Sequence, residues 1–117
     1  MAGLPSQFYL IGNAMLSAEQ NHAVIGQNIA NSNTPGYQTK SVDFEQVRRT
    51  LQGSSGNSGF VQQFPVVSVD GLTSRLDGNN VDIEKQLAEI KKNSLAFQTY
   101  SHLLAAKMNT MRSAIRG

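Results

Sequence analysis

The sequence of 117 residues contains no cysteine and no tryptophan, and it has few charged side chains. Without cysteine the chain cannot form a disulfide framework, a cysteine-based zinc site or a thiol nucleophile. Charged residues make up 15% of the chain, below the roughly 25% that is typical of globular proteins. The net charge of +2 is too small to indicate binding to nucleic acid or to an anionic membrane.

Long hydrophobic runs are also missing. No apolar stretch approaches the length of about 18 residues that a transmembrane helix needs, so none is predicted. The first residues, Met1 to Ser6, lack a basic region followed by an apolar stretch, so we expect no Sec-type signal peptide. The length favours one domain. The chain is expected either to stay in the cytoplasm or to leave it by a route that needs no such signal.

Two segments, at about residues 6–33 and 82–116, carry apolar and small side chains at alternating spacings of three and four. This spacing is typical of the seam of a long helix, and a strand cannot present it on one face. Ser6 and Asp82 are the expected N-caps. The seam between the two helices is assigned to Ile11, Met15, Ile25, Leu87, Ile90, Phe97 and Leu104.

The predicted fold class is mainly α. Two long terminal helices form an antiparallel coiled-coil hairpin, joined by a flexible loop with short extended pieces. The chain divides into an N-terminal helix at 1–35, a turn plus flexible middle segment at 36–79, and a C-terminal helix at 80–117. A hairpin of this size leaves further apolar stripes open, among them Tyr9 and Leu16, and other subunits are the natural partners for them.

The middle segment has a different composition. Gln52 to Gly59 is rich in glycine and serine and is predicted to be a flexible linker. Phe60–Phe64 and Val66–Val69 have strand-like content, whereas Asp70–Gly71 and Asp77–Asn80 are typical of turns. Two interpretations remain open here: a plain surface loop, or a loop that folds against a neighbour on assembly.

The stretch from Asn28 to Tyr37 is the most specific motif. Pro35 cannot continue a helix and pushes Thr34 towards extended geometry. Gly36 suits the positive-φ position of a type II turn from Thr34 to Tyr37. The turn and its contacts with neighbours are assigned to Asn28, Asn31, Thr34, Pro35, Gly36, Tyr37 and Phe44. We therefore expect Gly36→Val to block assembly more than it harms expression.

No constellation for catalysis or metal binding is evident. His22 and His102 are too few for a metal site, since no carboxylate cluster joins them. The stretch Gly56–Gly59 lacks the full spacing of a nucleophile turn. The sequence therefore predicts no enzyme, no catalytic, cofactor-binding or metal-ligating residue, no cofactor, no small-molecule substrate and no nucleic-acid partner.

The motif from Asn28 to Tyr37, followed by Asp43–Phe44, resembles the N-terminal signature of the flagellar axial proteins: the rod, hook and hook-associated subunits. The stretch from Asp77 to Glu89 resembles the C-terminal entry of the rod branch. The likeness continues through Asn93, Phe97, Gln98 and the stretch from Leu104 to Ile115. Within the family, flagellar basal-body rod proteins of the small proximal type fit best, because the stretch from Asn31 to Tyr37 is uninterrupted and is followed by Asp43–Phe44. The distal rod and hook proteins carry large extra domains between the helices, whereas about forty residues join them here.

This resemblance implies a structural subunit that polymerises through its terminal helices into the drive shaft, which crosses the periplasm and transmits torque for motility. It implies partners: copies of the chain, other rod proteins, the inner-membrane ring with its rod-adaptor protein, and the flagellar type III export apparatus. The implied location is the basal-body rod in the periplasmic space, reached without a cleaved signal peptide. Two alternatives stay open: another small rod subunit of the same family, or a soluble helical adaptor module.

Overall fold

The computed structural model describes residues 5–53 and 59–116. The elements run in the order α1 (Ser6–Ala30), β1 (Lys40–Val42), α2 (Phe44–Gly53), β2 (Val66–Ser68) and α3 (Ile83–Arg116). The molecule is elongated, with extents of 65 × 25 × 18 Å, because α3 alone spans about 50 Å at 1.5 Å per residue. The prediction of a mainly helical chain with two long terminal helices is confirmed.

The two terminal helices lie side by side and run in opposite directions. Asn28 near the end of α1 contacts Gln86 near the start of α3, and Asn21 contacts Asn93 further along. Phe8, in the first turns of α1, shares a surface depression with Met111 in the last turns of α3. No described helix has the length and apolar content needed to cross a bilayer.

The helix ends agree with the sequence prediction at α3 and differ at α1. Asp82 accepts hydrogen bonds at Oδ1 from the amides of Glu84 (3.0 Å) and Lys85 (3.3 Å), which confirms the predicted cap. At α1 the N-cap position is Pro5, with no side-chain cap. The prediction that Ser6 is the N-cap is therefore wrong, because Ser6 already lies inside the first turn.

A small core packs against a second face of α1, beside its contact with α3. Val24, Val42, Val47 and Phe64 form it, and Leu16, Leu51 and Val61 pack against it. Strands β1 and β2 pair antiparallel, with Lys40 opposite Ser68. Since α1 contacts both α3 and this core, the chain itself covers part of the second apolar stripe of α1.

Helix α2 was not predicted; its residues fall in the segment expected to be an irregular middle. Asp43 begins it by accepting from the amides of Glu45 (3.1 Å) and Gln46 (3.3 Å). Val47 and Leu51, four residues apart, turn one apolar face to the core. The predicted linker Gln52–Gly59 starts inside α2, and residues 54–58 lie outside the described part of the chain. Of the two stretches with strand-like content, Val66–Val69 contains strand β2 at Val66–Ser68, whereas Phe60–Phe64 does not form a strand.

Candidate functional site: the asparagine-rich junction of the terminal helices

Where α1 ends and α3 begins, two glycine-containing turns touch. The predicted turn from Thr34 to Tyr37 is present: the Tyr37 amide donates to the Thr34 carbonyl (3.2 Å) and Gly36 has φ +77°. The Gly36 amide donates to the Asp77 carbonyl at 2.8 Å. Gly78, with φ +85°, lies so close that a Cβ there would sit 3.3 Å from Gly36 Cα. The two turns therefore fix each other through their backbones.

Asn28 is the centre of the junction, and its side chain is fully buried. Its Nδ2 donates to the Lys40 carbonyl (2.8 Å) and to Gln86 Oε1 (2.9 Å). Its Oδ1 accepts from the Tyr37 hydroxyl and from the Lys40 amide, both at 3.0 Å. Two donors and two acceptor sites exhaust what an amide side chain offers. One residue thus ties α1 to the turn, to β1 and to α3.

Asn79 and Asn80 hold the second turn in the same way. Asn79 Nδ2 donates to the carbonyls of Asn31 (2.9 Å) and Thr34 (2.8 Å), and its Oδ1 accepts from the Val81 amide (2.8 Å). Asn80 Oδ1 accepts from the Thr39 amide at 2.7 Å. The entry segment of α3 therefore donates to two carbonyl groups of the turn that follows α1, and so fixes that turn against α3.

An arginine completes the junction. Arg75 donates from its guanidinium group to the Val81 carbonyl (3.1 Å) and to the Ser32 carbonyl. In the described residues, no buried side-chain nitrogen or oxygen atom lacks a hydrogen-bond partner. The junction has little to offer acid–base chemistry, since amides and backbone groups dominate it. It is a rigid connector between two helices.

Tyr37 contributes a titratable group to this network. Burial raises the pKa of its hydroxyl above the usual value, because the ionised form is disfavoured where water is excluded. The hydroxyl therefore stays protonated and donates to Asn28 throughout the neutral range.

We expect Tyr37→Phe to lower the free energy of unfolding by about 1 kcal/mol, the usual net value of one lost hydrogen bond. The parent chain should lose stability above about pH 10, where the unfolded state ionises at its ordinary pKa while the folded state resists. Urea denaturation from pH 7 to 11 would measure both effects. A pH profile that is identical in parent and variant would contradict this role for Tyr37.

Two side-chain amide contacts set the register between α1 and α3. Asn28 donates to Gln86, and Asn21 donates to Asn93 Oδ1 at 3.3 Å. The partners lie seven residues apart on both helices, which is one heptad. Asn93 Nδ2 also donates to the Ala18 carbonyl at 2.6 Å. Asn21 and Gln86 were not predicted as site residues; the available signal was a polar residue at a heptad spacing inside each apolar stripe.

The predicted seam residues fall into different environments. On α1, Ile11 and Ile25 are buried, and Met15 is half-buried and lines a groove with Phe97. On α3, Ile90, Phe97 and Leu104 are half-buried, whereas Leu87 is 48% exposed. The structure thus brings Met15 and Phe97 together and leaves Leu87 at the edge.

The predicted turn residues outside the Asn28 network are more exposed. Asn31 Nδ2 donates to the Gln27 carbonyl (2.8 Å) and thus caps α1, and its Oδ1 accepts from the Thr34 hydroxyl (3.1 Å). Thr34 and Pro35 lie on the surface. Phe44 is 54% exposed and lines a cleft with Ile25. Their contacts with neighbouring molecules stay a prediction.

The fold is that of an elongated, mainly helical protein whose terminal helices meet at this junction, and the described residues bring together no group of three or more histidine, aspartate or glutamate side chains able to hold a metal. Residues 8–38 match the family model described as "Flagella basal body rod protein". The chain is 34% identical over 104 residues to the flagellar basal body rod protein FlgB of Aquifex aeolicus, covering 84% of this chain and 83% of that protein.

Two further relatives agree. Identity to FlgB of Bacillus subtilis is 27% over 115 residues, with 90% and 89% coverage. Identity to FlgB of Escherichia coli K12 is 26% over 115 residues, with 83% coverage of each chain. The chain belongs to the flagellar basal body rod protein family, a family of structural proteins, and within it resembles the FlgB proteins. It is therefore not an enzyme.

Proposed function

We propose that the chain is a subunit of the proximal rod of the bacterial flagellar basal body and polymerises through its terminal helices. One observation carries this proposal: nine residues of α1 are buried, whereas α3 is open. Among the residues of α3, Gln86 alone is buried. A helix with so much exposed apolar surface is typical of one that finds partners on assembly. The large exposed side chains of α3 are Ile83, Leu87, Leu95, Leu103, Met108, Met111 and Ile115.

The finer architecture follows from the same helices. We propose that α1 and α3 act as an antiparallel coiled-coil unit whose register is held by the amide contacts at Asn21 and Asn28. An open helical assembly needs one face of a subunit to bind a different face of the next. The outward face of α3 supplies one such face. It carries the exposed side chains of Leu95 and Leu103, which lie eight residues apart.

The proposed partners are further copies of the chain, other rod proteins, and the inner-membrane ring with its rod-adaptor protein. Delivery by the flagellar type III apparatus, without a cleaved signal peptide, places the assembled chain in the periplasmic part of the rod. There the subunit transmits torque through packed helices, and no chemical step is required of it. The junction around Asn28 suits this task because it resists rotation of one helix about the other.

The test is a charge on the open face of α3. We expect Leu95→Asp, at a side chain that is 64% exposed, to abolish motility and recovery of the chain in isolated basal bodies. The isolated subunit should keep its stability within about 0.5 kcal/mol, as is usual for surface substitutions. Motility assays, basal-body purification and urea denaturation measure these effects.

The matched control is Gln98→Asp, which adds the same charge at an exposed polar position of α3. It should leave motility intact. Normal swimming of the Leu95→Asp strain would contradict the proposal. Cryo-electron microscopy of basal bodies from a deletion strain would show which part of the rod is missing, and so decide between the proximal rod, another rod position and a soluble adaptor.

A further inference from the structure

Residues 59–64, here called the strap, lie along α1 and are held by two side-chain amides. Asn13 Nδ2 donates to the Gly59 carbonyl (3.1 Å), and Asn13 Oδ1 accepts from the Val61 amide (2.7 Å). Gln20 makes the same two bonds seven residues further along α1. Its Nε2 donates to the Phe64 carbonyl (2.6 Å), and its Oε1 accepts from the Phe64 amide (2.7 Å). Each of the two side-chain amides thus pairs with one backbone N–H and one backbone C=O group of the strap.

The two ends of the strap are held very differently. Phe64 is 2% exposed and belongs to the core. Phe60 is 51% exposed and lies over Gly12 with its ring 4.8 Å from that of Tyr9. A Cβ at Gly12 would meet the Phe60 ring at 2.3 Å, so only glycine admits the ring. Opening free energies follow buried apolar contact, so the Phe60 end should detach before the Phe64 end.

The strap borders an open groove. Phe60 forms one wall and Phe97 of α3 the other, over a floor that includes Gly12 and Met15, with a volume of about 460 Å³. Leu16 already lines this groove, and detachment of the Phe60 end would also uncover Tyr9, whose ring the Phe60 ring contacts. These two residues belong to the stripe for which the sequence predicted a partner, and both are half-buried in the free chain.

We propose that residues 59–62 are a displaceable cover, and that the outward face of α3 from a second copy takes their place on α1. This inference rests on the proposed function. Glu19, the only formally charged side chain of α1, lines the groove. Lys91 and Lys92 are exposed one turn before Leu95 on α3, and Lys92 lies 3.5 Å from Glu89 of the same helix. Lys91 therefore supplies the positive charge on α3 that complements Glu19. While residues 59–62 stay on α1, they limit the association of two copies of the chain before the rod assembles.

The experiment uses the full chain in solution, with amide hydrogen exchange and sedimentation equilibrium. In the parent chain, the Val61 amide should exchange at least about tenfold faster than the amides of buried α1 residues, as a local opening requires. Phe60→Ala should speed exchange at Val61 further and, although it removes apolar surface, strengthen self-association several-fold. Adding Leu95→Asp to Phe60→Ala should remove that gain.

Gly12→Ala provides a second route, because its Cβ displaces the Phe60 ring. Gly26→Ala is the matched control on the same helix, since a Cβ there meets nothing within 4 Å. Exchange of Val61 only through global unfolding would overturn the proposal. So would unchanged or weaker association of Phe60→Ala, or a gain that survives Leu95→Asp. Failure of the rod proposal itself would appear separately, as absence of the chain from basal bodies.

Discussion

Asn28→Asp is expected to cost about 3–5 kcal/mol of unfolding free energy at neutral pH, the range seen when a buried network is left with an uncompensated charge. The substitution keeps the shape of the side chain. It replaces the Nδ2 donor with an oxygen that faces the Lys40 carbonyl and Gln86 Oε1. The free energy of unfolding of a folded domain is only about 5–15 kcal/mol in total, so the variant should be close to unfolding.

Acid should partly restore this variant. The buried carboxyl prefers its neutral form, so its pKa in the folded state lies above the value of about 4 in the unfolded chain. The penalty is therefore full at neutral pH and shrinks as pH falls, when the protonated acid can donate to the Lys40 carbonyl. Urea denaturation at pH 7 and pH 5 measures the difference.

Asn33→Asp is the control, because Asn33 is exposed just beyond the end of α1. It adds the same charge near the negative end of the helix and should cost less than about 1 kcal/mol. A loss below 1 kcal/mol for Asn28→Asp would mean that Asn28 does not hold the junction together.

The long helices and the turn could be predicted because their signals are local. Heptad spacing defines a helix without reference to the rest of the chain. Pro35 and Gly36 restrict the backbone wherever they occur. Asn28 could be assigned to this motif, but its full set of hydrogen-bond partners was not predicted. The partners come from two separate parts of the sequence, since Tyr37 and Lys40 lie just beyond α1 and Gln86 lies in α3.

Elements that depend on distant contacts were missed for the same reason. Helix α2 has ten residues, too few to be stable alone, and its Gln and Arg content conceals the face formed by Val47 and Leu51. The strap has no periodic pattern, and it is placed by Asn13 and Gln20, which lie more than forty positions earlier in the chain. Neither amide stands out in a sequence rich in asparagine and glutamine.

The heptad spacing used for the seam prediction could not rank the seam positions by burial. An apolar stripe on α1 has two neighbours, α3 and the core, whereas the stripe on α3 has one. Ile25 is therefore 3% exposed while Leu87 is 48% exposed, although both fit the same heptad rule. How many layers cover a helix is a property of the whole fold, and a single helix sequence does not record it.

Valine at Gly78 is expected to have the second large effect, about 3–4 kcal/mol of unfolding free energy. Positive φ costs an L-residue roughly 1–2 kcal/mol. The remainder comes from the contact with Gly36: the side chain would push the two turns apart and break the Gly36–Asp77 hydrogen bond, whose loss costs about 1 kcal/mol, together with the neighbouring Asn80–Tyr37 bond. Thermal and urea unfolding of the purified chain measure the loss.

Two glycines separate backbone strain from contact. Gly36 (φ +77°) and Gly71 (φ +82°) share the positive φ of Gly78, yet a Cβ at either meets nothing within 4 Å. Valine at either position should therefore cost only the backbone strain, about 1–2 kcal/mol of unfolding free energy.

The same pair of variants tests the assembly role of the turn. If the Thr34–Tyr37 turn contacts neighbouring subunits, Gly36→Val should also stop motility while Gly71→Val does not. Since the two variants should be equally stable, a difference in motility would not come from a difference in folding. Equal losses from all three valines would show that the contact between the turns adds nothing, and a motile Gly36→Val strain would remove that turn from the assembly interface.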